Sequence, residues 1–240
     1  MAFQTVFKRY EQKYMLSAGQ MERVLTAMVS HMELDKYGRT TIRNLYYDTD
    51  SYLLIRRSIE KPVYKEKLRL RSYGRAEESS NVFVELKKKY KGVVYKRRLA
   101  LPYDVATAWL SGKPLVVPPT QISREIDYFL SYYGGLRPTV FLSYERRAYY
   151  ARDGSDFRIT FDENVRCRQS GLSLCEEAGG IPLLPEGKVL MEIKCSGGIP
   201  LWLTHLLSAE KIYKTPFSKY GAAYKSLIYP KNSMEEITHV

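Results

Sequence analysis

The chain has 240 residues, 45% of them hydrophobic, with no Pro/Gly/Ser-rich linker and no low-complexity block, so residues 1–240 are expected to form one domain with a sizeable core. No apolar run approaches the roughly 18 residues of a membrane span, and charges interrupt every short apolar stretch of the N-terminal MAFQTVFKRYEQKYML, unlike a signal peptide. Cys167, Cys175 and Cys195 lack a CxxC spacing and His31, His205 and His239 are scattered, which argues against a disulfide framework or zinc site and for a reduced, cytoplasmic protein. The net charge of +12 calls for an anionic partner: nucleic acid, acidic membrane or phosphates.

Residues 5–15 read as a strand, after which Ser17 caps an amphipathic helix with Met21, Val24, Leu25, Met28, Val29 and Met32 at helical spacing. Strands are expected at Ile42–Asp48, Lys65–Ser72, Val82–Lys88 and Val93–Leu101, the last two joined by a hairpin at Lys89-Tyr90-Lys91-Gly92. Short helices follow over Val105–Leu110 and Ile122–Tyr133, the second stopping at Gly134-Gly135. Strands at Val140–Tyr149, Phe157–Asp162 and Val189–Cys195 and helices at Leu201–Ser208 and Ser218–Tyr229 complete the pattern. Many antiparallel strands with helices between them indicate an α+β fold, with the strands curled into a barrel.

The alternation inside those strands is unusual. In Lys65–Ser72, Lys65, Lys67, Arg69 and Arg71 share one face, and Leu68 and Leu70 point the other way. Glu85 and Lys87 oppose Val82, Val84 and Leu86; Lys96 and Arg98 fall together; Arg158, Thr160 and Asp162 oppose Phe157, Ile159 and Phe161; Glu192 and Lys194 oppose Val189, Met191 and Ile193. A single strand of this kind can be an ordinary sheet with its charged face in water. Repetition with Lys and Arg dominant favours a barrel that turns these faces inward, tolerable only around an anionic ligand.

The segments Tyr10-Glu11-Gln12-Lys13-Tyr14, Leu45-Tyr46-Tyr47-Asp48-Thr49, Lys67-Leu68-Arg69-Leu70-Arg71-Ser72-Tyr73-Gly74, Val84-Glu85-Leu86-Lys87, Tyr144-Glu145-Arg146-Arg147-Ala148-Tyr149, Arg158-Ile159-Thr160-Phe161-Asp162, Leu190-Met191-Glu192-Ile193-Lys194 and Phe217-Ser218-Lys219-Tyr220-Gly221 occur in that order. Together they resemble the catalytic domain of the vacuolar transporter chaperone (VTC) family within the triphosphate tunnel metalloenzyme superfamily, from about Phe7 to Tyr224. The resemblance implies a closed antiparallel β-barrel with a bore lined by Lys, Arg and Glu and with helices outside and at one end. It implies synthesis of polyphosphate from ATP with Mn2+ or Mg2+, the terminus of an existing chain acting as nucleophile.

On the same resemblance, Lys13, Arg69, Arg71, Lys87, Lys96, Arg146 and Lys219 would surround the phosphates, with Arg98, Arg158, Lys194 and Ser218 as further substrate contacts. Glu192 would bind the metal. Glu11 either joins it or pairs with a cation, and Asp162 either assists Glu192 or balances Arg158. Glu85 likewise either touches the metal or forms an inner-wall ion pair. The superfamily's ExExK pattern becomes Arg9, Glu11 and Lys13 here, which removes one acidic position and favours the polymerase branch over a two-metal hydrolase or cyclase. Most tyrosines are expected to pack between barrel and helices; stacking of one of Tyr46, Tyr47, Tyr149 and Tyr150 on adenine is the lesser alternative. Of Lys87-Lys88-Lys89-Tyr90-Lys91 only Lys87 is assigned to the inner face, the rest to a solvated hairpin tip. A narrow bore excludes duplex nucleic acid, and any membrane-protein partner lies in another chain. Triphosphate hydrolysis and non-catalytic polyphosphate binding are the competing readings.

Overall fold

The computed structural model describes residues 10–113 and 117–229. Residues 5–9 of the first expected strand, Arg9 among them, lie outside the described residues. β1 (Tyr10–Ser17) runs directly into α1 (Ala18–Met28). Ser17 caps that helix as expected: its hydroxyl accepts from the Gln20 amide, and the Gln20 side chain accepts from the Ser17 amide. α1 stops short of Met32, which instead begins the long β2 (Met32–Asp48). Met32 is buried against the same apolar cluster as Val24 and Met28, so its apolar spacing mimicked one more helical turn.

α2 (Leu53–Ile59) was not expected from the sequence. Tyr52, which precedes it, sits at φ 56 with no side-chain cap; the buried Asp48 carboxylate instead accepts from the amides of Leu54 (2.8 Å) and Ile55 (3.0 Å). β3 (Tyr64–Tyr73), β4 (Asn81–Tyr90) and β5 (Val93–Pro102) form a meander, followed by α3 (Tyr103–Leu110) and α4 (Gln121–Tyr133). β6 (Arg137–Ala151), β7 (Arg158–Arg168), the short β8 (Ile181–Pro182) and β9 (Lys188–Cys195) follow, then α5 (Leu201–Ala209) and α6 (Lys219–Ala223). The last expected helix is divided: after α6 the chain continues as a π-helical turn over Tyr224–Ile228.

All strands belong to one nine-stranded antiparallel sheet, ordered β1-β9-β7-β6-β2-β3-β4-β5 with β8 beside β7. Its outer face is apolar. Leu68, Leu70, Val82, Val84 and Leu86 pack under α3 and α4, and Ile159, Phe161, Met191 and Ile193 pack under α1 and α5. At one end α6 lies on the opposite, inner face, against Tyr46, Val140, Leu142 and Tyr144. Helices outside and at one end therefore match the expectation.

Backbone hydrogen bonds do not close the sheet into the expected barrel: among the described residues no backbone ladder joins the edge strands β1 and β5. The free edge of β1 is taken by the segment ahead of α6: Tyr14 bridges Lys214, and the Thr215 amide donates to the Lys13 carbonyl at 2.8 Å. Side chains span the gap instead, with Lys87 on β4 reaching Glu11 on β1 at 3.2 Å.

Asp48 joins β2, α2 and α6, since Tyr220 of α6 donates its hydroxyl to the same carboxylate at 2.9 Å. Asp48→Ala leaves two helix amides and a phenol unsatisfied in an apolar setting and is expected to lower stability by about 3 kcal/mol, measured by urea unfolding.

Candidate active site

The inner face is built by register. Pairing places Arg69 opposite Glu85, Glu85 opposite Arg98, Lys87 opposite Lys96 and Lys67 opposite Lys87. On the other side of the sheet it places Arg146 opposite Asp162, Thr160 opposite Glu192 and Glu192 opposite Lys13. Cross-strand neighbours share a face, so the charged rows foreseen from alternation meet along one surface.

Two carboxylate nodes hold these cations. Glu85, 1% exposed, accepts from Arg69 (2.7 Å to Nη2, 2.9 Å to Nε), Arg98 Nε (2.8 Å) and Lys96 Nζ (2.6 Å), with Arg71 at 3.8 Å. Burial alone would raise its pKa, but Arg71, Arg69, Lys96 and Arg98 together hold it well below the usual carboxylate range. Arg71 also donates to Asn44 (2.9 Å) and to the Tyr144 hydroxyl (3.1 Å).

The second node pairs Asp162, fully buried, with Glu192. Arg146 grips Asp162 with both prongs at 2.6 and 2.7 Å and reaches Glu192 at 3.3 Å. Lys219 donates to Glu192 at 2.9 Å and contacts Asp162, while Lys194 donates to Glu192 at 3.0 Å. Burial opposes the Lys219 charge, yet Asp162 and Glu192 hold its pKa above the ordinary lysine value. Lys13 stands between Glu11 (3.3 Å) and Glu192 (3.6 Å) and donates to the Phe217 carbonyl at 3.0 Å.

Most of the residues foreseen for the site thus converge. One alternative is set aside, and three tyrosines pack as expected. Asp162 does not balance Arg158: the register sets Arg158 opposite Tyr150, where its guanidinium lies 4.4 Å from the Tyr150 ring and 4.0 Å from Asp35. Tyr46, Tyr47 and Tyr149 are engaged by the protein; Tyr46 stacks on Tyr220 and accepts from Arg69, Tyr47 is core, and Tyr149 packs edge-on to Phe161.

The residue not singled out from the sequence is Lys67. Its ammonium donates to Ser218 at 3.1 Å and has no carboxylate partner among the described residues. Burial, then the charges of Lys87 and Lys13, pull its pKa down to about 7. Burial also pulls Lys96 to about 7 despite Glu85. The signal for Lys67 was its shared parity with Arg69 and Arg71 on one strand face.

Among the described residues no three His, Cys, Asp or Glu side chains gather into a metal cage. Glu11 and Glu192, hard oxygen donors meeting at Lys13, fit a Mg2+ or Mn2+ ion that arrives with a triphosphate, because such ions take one or two carboxylates and complete their shell with phosphate and water oxygens. In the free protein cations engage both oxygens of each acid here: Lys13 and Lys87 on Glu11, Lys219 with Lys194 and Arg146 on Glu192, and Arg146 with Lys219 on Asp162, so a metal would take the place of an ammonium at any of them.

The VTC domain model matches residues 8–228. This chain belongs to the VTC domain family. Subunit 4 of the vacuolar transporter chaperone complex from Trypanosoma brucei brucei is 24% identical to it over 274 residues, covering 92% of this chain and 35% of that protein, so the chain spans only a minor part of its relative. Among solved structures, a candidate adenylate cyclase from Bacillus halodurans superposes with a TM-score of 0.56 at 14% identity, covering 90% of this chain and 96% of the other. A Hippeastrum protein described as a candidate adenylyl cyclase with a dominant triphosphatase activity superposes at 0.54 and 16% identity, covering 91% and 95%. These two share the sheet-rich α+β fold of the VTC domain. No helix among the described residues is long and apolar enough to cross a membrane.

Two outcomes follow for the VTC domain. With its pKa pulled down to about 7, Lys67 is expected to be largely neutral at pH 8 in the free protein, and an anion beside it to restore the proton. Tripolyphosphate binding at pH 8 is therefore expected to take up protons and to weaken towards pH 9. Calorimetry in buffers of different ionisation enthalpy reads the uptake, and Lys67→Met should diminish it. Glu85→Gln leaves clustered cations unpaired and is expected to cost about 3–5 kcal/mol in chemical unfolding, with tripolyphosphate restoring much of the loss.

Proposed function

We propose that this VTC domain is a polyphosphate polymerase, transferring the γ-phosphoryl group of ATP to the end of a polyphosphate chain on its inner face, with Mn2+ or Mg2+. The observation that carries the reading is an inner sheet face on which, among the described residues, guanidinium and ammonium groups outnumber the carboxylates that pair with them. Phosphoryl transfer asks for such a surface, since catalysis there is mainly positioning and charge neutralisation.

In the proposed step a terminal oxygen of the chain attacks the γ-phosphorus. The bond to the β–γ bridging oxygen breaks, and its electron pair leaves on ADP. Arg69, Arg71 and Arg146 are planar donors suited to phosphate oxygens, while Lys13, Lys87, Lys96 and Lys219 supply compact charge. Arg98, Arg158, Lys194 and Ser218 extend the contacts along the chain. Glu85 and Asp162 hold the guanidinium forks in place before substrate arrives. Glu192, with Glu11, would hold the metal, which supplies charge neutralisation between phosphate oxygens when bound. The curated relative is a complex subunit, so membrane-protein partners encoded elsewhere belong to the same proposal.

A second reading, hydrolysis with water as the attacking group, is favoured by the triphosphatase activity described for the Hippeastrum protein of the same fold. Incubation with ATP and Mn2+, with and without a short polyphosphate primer, separates them on a polyphosphate-stained gel. The proposal expects a ladder, lost or reduced at least a hundredfold in Arg69→Ala and Glu192→Gln. Phosphate released from tripolyphosphate without a ladder would make the domain a hydrolase. Tight polyphosphate binding with neither product would make it a binding module.

A further inference from the structure

The lysine run at the β4–β5 hairpin is more than a solvated tip. Lys89 is exposed, but its position on β4 gives it the same face as Lys87 and Glu85, and it pairs across the ladder with Lys65, as Lys87 pairs with Lys67. The inner face of β3 and β4 therefore carries successive Lys–Lys rungs, about 7 Å apart, running outward from the buried Glu85 node to the exposed hairpin end. Like charges directly opposite one another on a sheet are destabilising. Only Lys87, which reaches Glu11 at 3.2 Å, is offset: among the described residues Lys65, Lys67 and Lys89 have no carboxylate partner, and the Lys65 ammonium is satisfied by the Ser58 carbonyl at 3.1 Å. The contrast with the other face is direct. Lys88, between Lys87 and Lys89, turns outward and meets Glu125 at 3.7 Å.

We infer that the Lys65–Lys89 rung is an outer subsite for a linear polyanion, a track on which a polyphosphate chain too long for the interior continues towards the surface. The inference rests on the reading of the inner face as a polyphosphate site and extends it beyond the residues that hold the reacting phosphates. The occupant is a flexible chain of phosphates rather than a membrane, because the lysines continue the charged inner face, whereas Tyr64 and Tyr90, the exposed aromatics beside them, alternate to the other side. The rung adds affinity only for a ligand long enough to reach it from the interior.

The test compares chain lengths. Lys65→Ser/Lys89→Ser in the full chain is titrated with tripolyphosphate and with polyphosphate of several tens of units, at several salt concentrations. The track predicts tripolyphosphate affinity within twofold of the unaltered protein, long-chain affinity at least tenfold weaker, and a salt slope for the long chain lower by about 1.4, roughly 0.7 for each of the two lysines. The melting temperature in the absence of anions should change little, because lost repulsion offsets the lost Lys65–Ser58 hydrogen bond. Equal weakening for both lengths, or for neither, overturns the track. So does loss of binding to vesicles containing phosphatidylserine with long-chain affinity intact, which would make the rung a membrane contact. The ladder assay reports separately on transfer: a protein that makes no polymer but loses long-chain affinity in the double variant keeps the track and loses the polymerase.

Discussion

Everything in this domain is arranged around an inward-facing excess of positive charge. Antiparallel strands that alternate apolar and cationic residues can be stable in two ways, with the cations in water or with the cations gathered about something negative. The helices decide between them. α3 and α4 cover the leucines and valines of β3 and β4, and α1 and α5 cover the apolar side of β7 and β9, so the charged side is left to face itself.

Such a surface cannot fold without internal counter-charge, and the placement of the few carboxylates follows from that. Glu85 alone is approached by Arg69, Arg71, Lys96 and Arg98; Asp162 and Glu192 share Arg146 and Lys219. Each carboxylate stays ionised despite burial because the surrounding cations outweigh the desolvation. The cost of neutralising the wall with so few acids is left on Lys67 and on the Lys65–Lys89 rung, where like charges face one another without relief. Those are the places where an incoming polyanion gains most. The same nodes hold guanidinium planes before substrate arrives, which is the preorganisation phosphoryl transfer requires.

Much of this was legible in the sequence because a period of two is hard to disguise. KEKLRLRS, FRITFD and VLMEIK each announce one charged and one apolar face, and the order of the motif segments identified the family. What stayed hidden depended on contacts distant along the chain. α2 is capped by Thr49 and Asp48 rather than by the residue before it, and Asp48 is in turn held by the distant Tyr220. The partner of Asp162 was set by the β6–β7 register, which brings it to Arg146 and leaves Arg158 further along the same strand. The open seam beside β1 came from the Lys214–Thr215 segment, whose backbone pairing no hydropathy pattern marks. Lys67 was visible as a face residue, but its isolation from any acid became apparent only once the neighbours were in place.

The central claim is that the inner face is a polyanion site whose free state is held back by its own charge. Thermal unfolding with tripolyphosphate, orthophosphate and sulfate at matched ionic strength tests it most directly. A rise of several degrees is expected at micromolar tripolyphosphate, with little effect from the other two anions and loss of the rise in Arg69→Ala. An equal rise with all three anions, or none with tripolyphosphate, would contradict it.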